Sequence, residues 1–512
     1  MIEVSEAWKD IQQRFLLPET FVEIDCTISE VGAEEGASAV GANETTFSDA
    51  GSTIDDTPKS ARYATNELNL WALDGTRTIL PSSAPYGSSG YVSDIAATGS
   101  VTLTFPAVHS VASSGLTITW SNLYGEYPTV FTVTAKNGAT VVAETTVTDN
   151  RDQVSAVFLA LQNYDSITIT IHDWGLPNRR ARIEKVIIGH VLTLTKKDII
   201  SFKHEQHGDL LSGELPKYSI EFTLDNTDGR WNPNNPTGME QYLSERQKLV
   251  VRYGMDVNGT VEWIPGGVFY LSEWDAPANG LEARFVARDA FEFLVGTDRT
   301  KLPNMSSVQY GNLAFVISWA TNALYLAGIK VDVSDSALQN SEGRQFSADG
   351  TFAEMVQKSA NAACCILRCD RNGTLYVEQL DKGLTEYVIT QALSYSHPEV
   401  KLAKPLKQVV VDYGGTEPHS LDVASNGEIQ TVTNDYIYTE EAAETVSGWV
   451  SDVLKNRKTV SGEFRADPRL DVYDVVTVES KYGTLTPVVI TNITYTYNGS
   501  FRGSYTGRIL EG

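Results

Sequence analysis

The stretch that most restricts the fold is the run from Ile200 to Phe293, where polar and apolar residues alternate in one short segment after another. In Tyr218-Ser-Ile-Glu-Phe-Thr-Leu224 the period is two, which puts Ile220, Phe222 and Leu224 on one face of a strand and Glu221 and Thr223 on the other. The strand is predicted to stop at residues 225–238 (DNTDGRWNPNNPTG), a dense cluster of turn-formers. Met239 to Gln247 has room for about two helical turns. Lys248-Leu-Val-Val-Arg-Tyr253 then alternates again, and Asn258-Gly259 predicts a type I′ hairpin returning as Val261-Glu-Trp-Ile264. Residues 267–274 (GVFYLSEW) and 281–288 (LEARFVAR) complete a set of strands with short links, which points to a small barrel or a folded-over sheet.

A chain of 512 residues has room for roughly three or four domains. Its formal net charge of −25 repels DNA phosphates and anionic membranes, so no sequence-independent nucleic-acid grip is expected. No apolar run approaches the roughly 20 residues of a membrane span. The start, Met-Ile-Glu-Val-Ser-Glu-Ala-Trp-Lys-Asp, has neither a basic nor an apolar leader pattern, so synthesis in the cytoplasm is expected. Cys26 stands alone, while Cys364, Cys365 and Cys369 cluster. Adjacent cysteines in a strand face opposite ways, so reduced core thiols are expected rather than a bridge or a zinc site.

Trp8, Ile11 and Phe15 at helical spacing predict a lead-in helix within residues 1–20. From Phe21 to Ser60 nine carboxylates face one lysine, Lys59; with no Asp-x-Asp-x-Asp-Gly loop this reads as a solvated acidic face, not a calcium site. Val22-Glu-Ile-Asp-Cys-Thr-Ile28 still alternates as a strand. Between Arg62 and Gly189, Val/Thr/Ile-rich strands recur at 101–105, 115–120, 130–135, 141–147, 154–158, 166–171 and 181–188, which predicts a jelly-roll β-sandwich over residues 21–189. Farther on, Tyr310 to Ala327 predicts a helix with Leu313, Val316, Ile317, Ala320 and Leu324 on one stripe. Thr351 with Glu354 three residues later has the spacing of a capping box opening a second helix. Ala363–Arg368 and Thr374–Glu378 are predicted strands joined by Asp370-Arg-Asn-Gly373, with Asp370 and Asn372 as turn residues. Strands at 407–413, 473–478 and 487–493 surround a helix predicted over Glu440 to Leu454.

The words LPKYSIEFTLDNTDGRWNPNNPTG, YLSERQKLVVRYG, VEWIPGGVFYLSEWDAP and ARFVARDAFEFL, in that order, resemble the tube-forming domain of phage tail hub and tail-tip proteins (baseplate-hub or distal-tail-like) of Gram-positive phages and prophages. Residues 465–478 (RADPRLDVYDVVTV) look like the element closing a second tube-type domain in such hubs, where the turn usually carries Gly-Asp; Tyr473-Asp474 stands there instead. Residues 63–71, 90–94 and 167–183 look like a carbohydrate-binding-module-like jelly roll. The resemblance implies a mainly β, multidomain chain: a lead-in helix (1–20), a jelly-roll β-sandwich insertion (21–189), a tube-forming hub domain (190–300), a small α/β middle domain (301–404) and a second tube-type β-barrel or sandwich domain (405–512). It further implies a structural virion protein whose hub ring closes the tail tube and carries the host-adsorption apparatus. The ring would be a homotrimer, or in the neighbouring case a hexamer. Its partners would be tail tube, distal tail, tape-measure and tail-fibre proteins, with DNA passing through the lumen and no membrane insertion.

Two other readings have separate signals. Exposed aromatics on jelly-roll loops can stack on sugar rings, which makes Trp71, Tyr86, Tyr91, Tyr124 and Tyr127 the candidate contacts for a host cell-wall glycan. A peptidoglycan hydrolase would need a nucleophile with its base or a metal motif, and neither a Cys/His pair nor a Gly-x-Ser-x-Gly elbow occurs. His204-Glu-Gln-His207 is one residue short of the helical zinc motif, so both histidines are expected to be solvated at a loop entrance, with no metal and no cofactor. Trp231, Trp263, Phe269, Tyr270 and Trp274 lack the basic groove of a nucleic-acid platform and are assigned to core and subunit contacts.

Overall fold

In a computed structural model, the chain divides into two compact units: residues 1–24, 194–235 and 249–512 form one, and residues 25–193 with 236–248 form the other. Described are residues 1–14, 18–28, 38–41, 92–93, 99–110, 112–120, 127–174, 179–180, 183–232, 245–276, 280–295, 308–322, 329–342, 344–347, 351–413 and 417–510, with a few single residues between these stretches. The architecture is mainly β and multidomain, with several sheets.

The first unit is organised by one long open sheet. From the first residues of Thr20–Ile28 its spatial order continues Lys248–Val257, Thr260–Asp275, Glu282–Arg288, Lys217–Asp225, Ile199–His207, Leu485–Tyr497, Phe501–Ile509, Lys458–Phe464 and Glu399–Leu402. Period-two alternation decides the faces: Ile220, Phe222 and Leu224 point inward, as do Leu249, Val251, Tyr253 and Met255 on the neighbouring hairpin. Asn258 and Gly259 both adopt positive φ, 57° and 89°, as a type I′ turn requires. The inward rings pack edge-on and stacked, with Phe222 on Phe285 at 5.1 Å and Tyr253 against Phe501 at 5.2 Å. Trp231 and Phe269 are buried in this core. The opposite face is polar, with Lys203 paired to Glu205 and Arg288 to both Glu273 and Glu292.

The same unit carries two α/β layers. Helices Leu313–Ala320 and Phe352–Ala362 share a core with the small sheet of Val331–Asp332, Leu375–Glu378 and Ile366–Cys369. Thr351 and Glu354 form the capping box foreseen from their spacing. The first helix opens at Leu313 rather than Tyr310, because the Asn312 side chain accepts the Phe315 amide at 2.9 Å and Tyr310 belongs to strand Val308–Gly311. Cys364 is not in a strand: it follows the second helix with φ of 56°, the left-handed position that ends helices, and the strand starts at Ile366. All four cysteines are free. Helix Glu440–Leu454 covers a three-stranded sheet of His419–Asp422, Leu406–Asp412 and Glu428–Thr433. The lead-in helix runs from Glu6 to Gln12, capped by Ser5, with Trp8 and Ile11 buried; Phe15 lies outside the described residues, and the described residues of Met239–Gln247 form a turn, with Arg246 at φ of 67°, and not the two helical turns expected there.

The second unit is a β-sandwich. A five-stranded sheet (Ser38–Gly41, Gly99–His109, Tyr164–Trp174, Pro128–Asn137, Thr140–Val147) and a three-stranded one (Ile183–Ile188, Ser113–Trp120, Val154–Leu161) share one apolar core. Trp120 sits in that core, its indole N–H donating to Ser155 Oγ at 2.7 Å. Most of the acidic stretch from Phe21 to Ser60 lies outside the described residues.

Candidate functional site

The two halves of the long sheet meet at strand Ile199–His207, which pairs with Lys217–Asp225 on one side and Leu485–Tyr497 on the other. Alternation turns Phe202, His204 and Gln206 into the core. The expectation of two solvated histidines therefore fails for His204, which is 1% exposed in mid-strand. An odd spacing of three residues sends two strand side chains to opposite faces, so His204 and His207 do not share a site. His204 Nδ1 lies 2.7 Å from the Tyr253 hydroxyl, and His207 Nδ1 lies 2.6 Å from the Asn492 amide. Burial, reinforced by the nearby Arg371 charge, lowers the His204 pKa to about 3, so the imidazole is neutral.

Beside His204 the core holds a polar node built from distant segments. Asp370 Oδ1 accepts the backbone amides of Asn372 and Thr374, and Gly373 takes φ of 83°, so Asp370 and Asn372 act as turn residues, as their spacing foretold. That tight turn thrusts Arg371 into the sheet interior. Its Nε lies 3.0 Å from both Asp471 oxygens, and its two terminal nitrogens donate to the Pro265 carbonyl at 2.9 Å and the Leu470 carbonyl at 2.7 Å. Gln206 closes the ring, its amide donating to Asp471 at 2.7 Å and its carbonyl accepting the Val472 amide at 3.1 Å. The Tyr495 hydroxyl donates to the Leu470 carbonyl at 2.7 Å. Burial raises the Asp471 carboxyl, but Arg371 and Gln206 outweigh it and hold the group below the usual carboxylate range. No periodicity or motif marks Arg371 for this role; its sequence neighbours read only as a hairpin turn.

The segment from 465 to 474 threads through the same region. Asp467 and Arg469 form a buried pair with Nε to carboxylate distances of 2.9 and 3.0 Å. Gln12 of the lead-in helix donates to the Ala466 carbonyl at 2.8 Å, and Arg465 donates to the carbonyls of Gln12 and Arg14. Tyr473 adopts φ of 74°, the left-handed region that favours glycine. Its ring is buried against Gly208 and its hydroxyl donates to the Leu367 carbonyl at 3.1 Å.

A polar cleft of about 480 Å³ opens next to this segment, lined in part by Tyr218, Asp335, Arg368, Glu378, Asp471 and Asp474. Its carboxylates are engaged in structure. Asp335 accepts the Ala337 and Gln379 amides, Glu378 pairs with Arg368, Asp381 accepts the Gly383 amide, and Asp474 accepts the Asp471 amide. Burial pushes the Cys369 thiol on the cleft wall well above its ordinary value, away from the reactive thiolate. Among the described residues no group of three or more His, Cys, Asp or Glu side chains is placed to hold a metal ion.

Of the five aromatic glycan candidates, Trp71, Tyr86, Tyr91 and Tyr124 lie outside the described residues, and Tyr127 is half-buried against the sandwich core. The outward face of the five-stranded sheet shows a pattern the loop-based reading missed. Ser100, Thr170, Thr132 and Thr146 lie in one cross-strand row, and Thr102, Thr168, Thr134 and Glu144 in the next. Thr102 and Thr168 hydroxyls are 3.0 Å apart, and Thr132 and Thr146 hydroxyls 2.8 Å apart. The Thr-x-Thr repeats at 102–104, 132–134 and 168–170 were the available signal.

No family model matches the chain, and no curated protein matches it. Among solved structures it is similar to the 43 kDa tail protein of prophage MuSo2 from Shewanella oneidensis, with 14% identity over 63% of this chain and 95% of that one, TM-score 0.44. A tail protein from Neisseria meningitidis MC58 aligns with 9% identity over 62% of this chain and 94% of that one, TM-score 0.45. The prophage tail protein gp18 of Listeria monocytogenes EGD-e aligns with 12% identity over 63% of this chain and 91% of that one, TM-score 0.41. All three TM-scores lie below 0.5.

Proposed function

We propose that this chain is a structural protein of a phage-type tail tip, forming the hub ring that closes the tail tube and carries the adsorption apparatus. The observation that carries the reading is the fusion of two β segments into one sheet through the pairing of Ile199–His207 with Leu485–Tyr497. Residues 200–293 carry the words that resemble hub proteins, and residues 465–478 resemble the element closing a second tube-type domain. Joined edge to edge, with the Arg371 node packed behind, they make one continuous sheet with one polar face. Three copies place six such segments about an axis; a hexamer is the neighbouring stoichiometry. Light scattering followed by negative-stain imaging tests this: a closed ring with a central hole is expected, and a species that stays monomeric at every concentration sinks the reading.

The hydroxyl rows on the sandwich support a second role for the same virion protein, contact with a neutral host cell-wall polysaccharide. Intact chain should sediment with purified cell walls, and Thr132→Val with Thr168→Val should abolish it; no sedimentation of the unaltered chain removes this role.

A further inference from the structure

Strand Glu399–Leu402 ends the long sheet. Among the described residues it pairs only with Lys458–Phe464, antiparallel. The Ala403 amide donates to the Arg457 carbonyl at 2.9 Å, so alternate residues Lys401 and Glu399 point their backbone groups into the sheet. The backbone groups of Val400 and Leu402 therefore face the open edge. Their side chains are 59% and 62% exposed, and Tyr395 just upstream is 54% exposed with the Arg502 guanidinium over its ring at 5.5 Å.

The charge around this edge inverts that of the molecule. Residues 399–407 and 455–458 carry six cations, Lys401, Lys404, Lys407, Lys455, Arg457 and Lys458, and the one carboxylate Glu399, in a chain of net charge −25; Lys404 pairs with Glu428 and Lys455 with Asp452, which leaves a local excess of positive charge. Lysines on an edge discourage indiscriminate strand addition. They also select: two copies of this edge laid together would bring one local excess of positive charge against another, so a two-fold pairing of the edge with itself is disfavoured. An acidic surface is favoured, and the rest of this chain is strongly acidic in composition.

We infer that Glu399–Leu402 is the edge on which a second copy of this chain docks, head to tail, through backbone pairing at Val400 and Leu402 and burial of Val400, Leu402 and Tyr395. The inference rests on the ring reading above and assigns its subunit contact. A heterologous contact between one basic edge and a different, acidic surface repeats around an axis, closing as a ring when the rotation per copy divides a full turn and running on as a filament when it does not. Edge pairing over so short a strand contributes few hydrogen bonds, so apolar burial and repetition around the ring supply the remainder.

The test is Val400→Pro and Leu402→Pro in the intact chain, because each removes only an outward amide and leaves the inner ladder whole. Val400→Lys covers the case in which proline disturbs the strand. Mass by light scattering should show each variant assembling at least about tenfold more weakly than the unaltered chain, with unchanged circular dichroism. Raising salt from about 0.05 to 0.5 M should weaken assembly of the unaltered chain. Variant rings of full mass, or assembly indifferent to salt, overturn the edge assignment and leave the ring reading standing. An unaltered chain that never assembles, or assembles only with another acidic protein, overturns the second-copy contact, and the former removes the ring reading as well.

Discussion

Tyr473 sits in a backbone conformation with φ of 74° that disfavours a side chain, and the compensation comes from a gap left by Gly208. A Cβ on Gly208 would lie 2.5 Å from Tyr473 Cζ, 2.6 Å from its hydroxyl oxygen and 2.5 Å from Val472 Cγ1. The ring cannot swing aside, since it is buried and its hydroxyl is held by the Leu367 carbonyl at 3.1 Å. Gly208→Ala is therefore expected to destabilise the unit by about 1–3 kcal/mol through overpacking. Tyr473→Gly relieves about 1–2 kcal/mol of left-handed strain. It forfeits burial of a large aromatic, which costs about 3–5 kcal/mol, so its net effect is still a loss. The two changes are coupled: once the ring is gone, the alanine methyl enters space it vacated. The double variant should be more stable than the sum of the single losses predicts, by about 1–2 kcal/mol, the contact with Val472 Cγ1 remaining. Urea unfolding of the four proteins, followed by tryptophan fluorescence, measures the cycle. Strict additivity, or a Gly208→Ala variant as stable as the parent, would refute the argument that glycine at 208 makes room for tyrosine at 473.

Two further outcomes follow from the polar node. Arg371→Ala leaves the Asp471 carboxylate and two inward carbonyls without their cation and is expected to cost about 3–5 kcal/mol in urea unfolding. Arg371→Lys should recover little, lacking the planar fork; full recovery would show that charge alone suffices. His204 is neutral when folded, with its pKa lowered to about 3, but takes a proton below its ordinary value of 6.5 when unfolded. Its contribution is present above that ordinary value and is lost as pH falls toward the folded pKa, by about 1.4 kcal/mol per pH unit. Between roughly pH 6 and 5, above the carboxylate range, His204→Gln should flatten the decline in stability. An unchanged slope in the variant would place the titration elsewhere.

What could be read from the sequence concerns neighbours a few residues apart. Alternation identified the strands and their inward faces, Asn258-Gly259 announced its turn, Thr351 and Glu354 their cap, and the spacing of Glu440 to Leu454 its helix. Each of these is settled by local dihedral preference or by a side chain bonding its own backbone. Two of the errors were also local, where two local signals competed. The apolar stripe from Tyr310 concealed the Asn312 cap, and the paired cysteines concealed a helix end at Cys364.

The candidate site was scarcely legible. Alternation states which way His204 points relative to its neighbours, but whether that side faces water depends on what packs there, and the answer is Tyr253. The partners of Ile199–His207 include a strand nearly three hundred residues away, and Arg371 meets Asp471 one hundred residues on. The sequence by itself determined a mainly β chain and the faces of its strands. Only the tertiary structure decided that two β segments share one sheet, that a turn arginine anchors it, and that Tyr473 holds a glycine's conformation. The reason is physical: backbone ladders accept many partners of the same period, and the choice among them rests on burial summed over the whole fold.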